Sequence, residues 1–163
     1  MSDLVVFAFQ DDGGAAEMGN AVKRLQKEQL ITISDAAILV RKQDGKVKVK
    51  QANNLVGAGA LGGAFWGMLI GLLFFAPWLG LAIGAVTGAI SGKLTDYGID
   101  DEFIKEVGEA VEPGGSALFL LVEEWTEDKV LDELASFDAK VLQTSLSKED
   151  EAKLKAAFGA SED

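Results

Sequence analysis

Residues 55–94 read LVGAGALGGAFWGMLIGLLFFAPWLGLAIGAVTGAISGKL. They sit inside a run, residues 51–92, with no charged side chain, in a protein that is 25% charged. Pro77 divides the stretch, because proline lacks an N–H and its ring clashes with the carbonyl one turn back. Two helices are therefore predicted, Leu55–Phe75 and Trp78–Leu94. At about 1.5 Å per residue the first is ~32 Å long and matches a ~30 Å hydrocarbon core, whereas the second, about 25 Å, spans only with thinning or help from its flanks.

Glycine recurs at every fourth position, at Gly59, Gly63, Gly67 and Gly71 in the first helix and Gly80, Gly84, Gly88 and Gly92 in the second. This spacing lines one face of each helix. A glycine inside a helix costs about 1 kcal/mol relative to alanine, so eight of them need a compensating gain. Close backbone approach between small-residue faces supplies one. The zippers are expected to hold the hairpin together or to pair it with other subunits. A soluble hairpin buried in a protein assembly is the third reading.

The flanks give the topology. Lys46, Lys48 and Lys50 precede the first helix and Lys93 ends the second, while the turn Ala76-Pro77-Trp78 is uncharged. The positive-inside rule then places both termini in the cytoplasm, with Phe74, Phe75 and Trp78 at the far interface and lipid as a partner. Domain limits follow as 1–52, 53–94 and 95–163.

Outside the apolar block the text alternates strand and helix. LVVFAF, residues 4–9, reads as a central strand closed by Gln10-Asp11-Asp12. Met18, Ala21, Val22 and Leu25 mark an amphipathic helix over 15–28. Residues 31–42 and 46–51 flank Asp44-Gly45, a hairpin signal. Residues 101–111 suit a helix and Ala117–Val122 a strand. Thr126 is placed as the cap of a helix reaching Ser136, Lys140–Thr144 forms a strand, and a terminal helix starts at Ser147. With the hairpin removed, the order is a ferredoxin-like βαββαβ with an α-β-α tail. The fold class is thus α+β, a ferredoxin-like α/β sandwich carrying an inserted glycine-zipper apolar hairpin of two transmembrane or membrane-embedded helices. Leu4–Asp12 and Ala117–Glu124 also echo one another, each an apolar strand ending in two acids.

Composition removes much chemistry. The sequence holds neither cysteine nor histidine, which excludes thiolates, disulfides, Cys/His zinc sites and imidazole bases. The net charge of −11 resides in residues 93–163, whose seven lysines face 19 acids. Nucleic acid is an unsuitable partner for such a surface. Acid pairs at Asp11-Asp12, 100–102, Glu123-Glu124 and 149–151 fall at helix starts and strand ends, where capping and solvation account for them. Residues 57–62 spell GxGxxG, but without the βαβ setting that a dinucleotide site needs. No catalytic, cofactor or metal site is expected. The opening residues lack a signal-peptide pattern.

The strand VVFAF with its acidic turn, DGKVKVKQA leading into GAGALGGAFWG, GIDDEFIKE, GGSALFLLV and VLQTSLSKEDEAKL together resemble the uncharacterised bacterial membrane family known as domain of unknown function twelve sixty-nine. The resemblance covers nearly the whole chain and implies a small bacterial membrane-associated protein, with no assigned reaction or ligand. Gly13-Gly14 departs from the pattern, where acidic or helix-forming residues are expected.

These readings converge on a non-enzymatic, self-associating protein of the bacterial inner membrane. Its hairpin is expected to anchor, oligomerise or shape the membrane, and its cytoplasmic α/β part to act as an interaction module for copies of itself or other proteins. The alternatives are an oligomeric pore and a membrane-tethered ligand-sensing domain.

Overall fold

In the computed structural model, residues 2–51, 70, 99, 101–147 and 149 are described. Five strands, β1 (Ser2–Phe9), β2 (Ile31–Arg41), β3 (Val47–Gln51), β4 (Ser116–Trp125) and β5 (Lys140–Leu146), form one antiparallel sheet in the order β3-β2-β4-β1-β5. Helices α1 (Gly14–Lys27), α2 (Asp101–Ala110) and α3 (Glu127–Leu134) accompany it, and a 3₁₀ turn at Ala135–Phe137 follows α3.

Central position in the sheet follows side-chain chemistry. Every residue from Ser116 to Val122 of β4 is buried, and Leu4 to Phe9 of β1 are buried likewise. Strands apolar on both faces can be covered on both faces, so these two pair directly, Leu4 opposite Leu121 and Phe7 opposite Leu118. The echoing segments of the sequence are thus neighbours at the centre. Strand β3 alternates valine with lysine, so one of its faces stays wet, and it takes an edge beside β2.

This arrangement corrects the ferredoxin-like expectation. There the third strand of the chain would insert between the first two, but the strand lying between β1 and β2 is β4, and β3 is an edge. A lysine at every second residue bars β3 from the centre, because each would carry a charge into the core.

Each face of the sheet has its own core. On one, Val5, Phe7 and Phe9 meet Met18, Val22 and Leu25 of α1 and Val130 and Leu134 of α3. On the other, Leu4, Val6, Leu39, Phe119 and Leu146 meet Phe103 and Val107 of α2, together with Ile99 and Ile70. A bulge at Ser34 lets β2 serve both: Ile33 pairs with Val122 and Asp35 with Leu121, leaving Ser34 over, with its hydroxyl donating to the Leu121 carbonyl at 3.3 Å. The extra residue flips the alternation, so Ile31 and Ile33 share a face with Ala36.

The transmembrane hairpin and the inner-membrane location are corrected at Ile70. This residue lies within the first predicted crossing, yet it is helical, only 1% exposed, and packed with the α2-side core of the sheet. Apolarity that reads as lipid-facing is met there by protein. Among the described residues no helix is long and apolar enough to cross a membrane. The remainder of the predicted hairpin, and the terminal helix beyond residue 149, lie outside the described residues.

Of the two glycines that departed from the family pattern, Gly14 has a packing reason, whereas a Cβ on Gly13 would meet nothing within 4 Å. A Cβ on Gly14 would stand 2.5 Å from the Phe9 ring and 2.7 Å from the Asp11 carboxylate. That carboxylate accepts the Gly14 N–H at 2.7 Å, so Asp11 acts at the helix start as expected of it. Thr126 differs, since α3 has no side-chain cap bond. A Cβ on Gly115 would meet the Phe9 carbonyl at 2.5 Å, which requires glycine where the Pro113-Gly114-Gly115 turn presses on β1.

Candidate functional site

Both edges of the sheet are open among the described residues, and they differ in composition. Strand β5 runs Lys-Val-Leu-Gln-Thr-Ser-Leu. Leu142 and Leu146 point into the α2-side core, which fixes Lys140 and Thr144 on that same face and Val141, Gln143 and Ser145 on the other. Backbone pairing to β1 runs unbroken from Leu146 opposite Ser2 to Lys140 opposite Ala8. The outer face is tied down by Asp3, whose carboxylate accepts from Gln143 Nε2 at 3.1 Å and from Ser145 Oγ at 2.9 Å.

Alongside β5 lies a groove of about 270 Å³, lined by Glu102, Phe103 and Glu106 of α2 and by Val141, Leu142, Gln143 and Thr144. Phe103 is buried at its floor. Glu102 and Glu106, one helical turn apart on one side of α2, form its acidic rim. Val141, 41% exposed, is the large hydrophobic side chain exposed among the described residues. The site therefore combines strand backbone that no described strand pairs, an apolar step and two carboxylates.

Opposite lies β3, reached through the turn at Asp44-Gly45. Gly45 has φ +90°, and the Lys46 N–H donates to Asp44 Oδ1 at 3.0 Å. Val47 and Val49 pack on the α2-side core, so Lys48 between them projects on the α1 side. Lys46 and Lys48, expected at a membrane interface, are exposed along this sheet edge, and Lys50 continues the strand.

The other expected site residues are not brought together by what is seen. Gly59, Gly63, Gly67, Gly71, Gly80, Gly84, Gly88 and Gly92, with Lys93, Phe74, Phe75 and Trp78, lie outside the described residues. With no membrane-crossing helix among the described residues, the glycine-zippered transmembrane pair is set aside.

Two features escaped the sequence reading. The β5 edge was signalled only by seven residues with a single charge. Asp35, fully buried in β2, gave no signal at all; its Oδ1 accepts the Ala36 N–H at 2.8 Å beside the bulge. Among the described residues, no group of three or more His, Cys, Asp or Glu could hold a metal ion.

Neither the curated proteins nor the solved structures contain a match to this chain. Residues 60–159, more than half of its length, match the family described as "Protein of unknown function (DUF1269)", and the chain belongs to that family.

Proposed function

We propose that this chain is a self-associating, non-catalytic module whose α/β sheet provides the interaction surface. The observation that carries this reading is the β5 edge. A seven-residue strand with no proline and one lysine ends the sheet, no described strand pairs with its outer side, and it bears the exposed Val141. Natural edges are usually blunted by charge, proline or a bulge, because unpaired N–H and C=O groups recruit further strands. An edge left flat and nearly uncharged is suited to accept one. The absence of histidine and cysteine from the whole sequence supports a role in binding over one in catalysis.

Sedimentation velocity of the full-length chain over a range of concentrations tests this. The expected result is a weight-average mass that rises with concentration. A mass equal to one 17.2 kDa chain throughout overturns it.

A further inference from the structure

Resting on that self-association, we infer that the occupant of the β5 edge is strand β3 of a second copy, added antiparallel, so that copies join head to tail.

Strands β1 and β2 are each antiparallel to β4, β5 is antiparallel to β1, and β3 to β2; β3, β4 and β5 therefore run in one direction. An incoming β3 can pair antiparallel with β5 only if its copy is turned over by a half-turn about an axis lying across the strands. That turn exchanges the two faces of the sheet. The α1-side residue Lys48 of the incoming strand then lies on the α2 side of the receiving copy, where Glu102 and Glu106 stand beside β5. Val47 and Val49 of the incoming strand come to the opposite side, which carries Val141. Lysine meets carboxylate and valine meets valine in one operation.

The other pairings fail one of these matches. A parallel addition of β3 keeps the faces and sets its valines beside Glu102 and Glu106. Joining β5 to β5 antiparallel, about a two-fold axis perpendicular to the sheet, brings the carboxylates of both copies to one side, and joining β3 to β3 in that way does the same with lysines. Parallel joining of β5 to β5, about an axis along the strands, sets the carboxylates of each copy opposite the Val141 face of the other, where β5 has no lysine to meet them. Like charges placed together exclude wrong partners and opposite charges admit the right one. The lysines that guard β3 against its own kind thus make it specific for the acidic edge. Such an interface uses two different patches and does not close on itself after two copies, so it builds rings or filaments.

The test is mass against concentration for the full-length chain in one fixed buffer, with two charge reversals and their combination. Lys46→Glu with Lys48→Glu, and separately Glu102→Lys with Glu106→Lys, should each weaken association about tenfold, a magnitude suited to a few exposed ion pairs turned repulsive. All four changes in one chain, or an equimolar mixture of the two double variants, should restore it, which a folding defect would not do. Unchanged association on reversing the lysines, or no rescue by the combination, overturns the β3–β5 pairing while leaving self-association standing. A wild-type chain that stays monomeric overturns both.

Discussion

Strand β3 closes one side of the sheet with alternating lysines and two half-buried valines, whereas β5 closes the other with two leucines sunk in the core and one exposed valine. The inward residues of β5 anchor it, which leaves its outer side free to be plain. Strand β3 has weaker anchorage, only five residues, and the exposed Lys48 between its two valines. An edge held by its core can afford to recruit, and an edge held by a turn is protected by charge. Pairing with β5 of a second copy makes that protection selective.

The largest expected effect tests anchorage. Leu146 is fully buried in the α2-side core, so Leu146→Ala should cost about 2–5 kcal/mol, the range for a buried leucine that leaves a cavity. Val49→Ala on β3 should cost about 1 kcal/mol, because the side chain is only half covered and loses two methyl groups. Urea unfolding of both variants measures the gap. Equal losses would mean that the two edges are anchored alike.

Next comes the turn that holds β3. Gly45 sits at φ +90° with open space around its α-carbon, so Gly45→Ala meets no clash and its cost is conformational, about 1–2 kcal/mol. Exchange of the β3 amides should quicken more than that of β5. If hydrogen exchange rises uniformly across the sheet, β3 is not held by its turn.

Much of this architecture was legible. The hairpin at Asp44-Gly45, the helix under Met18, Val22 and Leu25, and the strands at Leu4 and Ala117 all follow from periodicity and turn chemistry, which are local. Strand order was not read correctly, although the information was present. Lysines at 46, 48 and 50 disqualify β3 from the centre, and the unbroken apolar run Ala117–Val122 qualifies β4. Ile70 shows the limit of hydropathy: a residue's apolarity predicts that it will be covered, and a sheet face covers it as well as lipid does. Asp35 and the groove beside β5 depend on a bulge and on α2 lying against β5, contacts between distant parts of the chain with no periodic signature.

A smaller effect separates stability from association. Val141→Thr keeps the β-branch on an exposed site, so unfolding free energy should change by no more than about 0.5 kcal/mol. Self-association should weaken, since the apolar step on the edge is lost. A variant that associates as the wild type does would show that Val141 is merely exposed.

The smallest effect concerns the polar side of the same strand. The Asp3 carboxylate receives both Gln143 and Ser145, and these three residues stand on the side of the sheet away from Leu142 and Leu146. Both donors are exposed, so in Asp3→Ala water replaces the lost acceptor and no buried group is left orphaned. The expected loss is about 0.5 kcal/mol, read by thermal or urea unfolding, far below that of Leu146→Ala. A loss as large as the leucine's would show that β5 is held by its outer hydrogen bonds instead of its buried side chains. Its plain edge could then no longer be explained by anchorage from within, and the contrast with β3 would rest on charge alone.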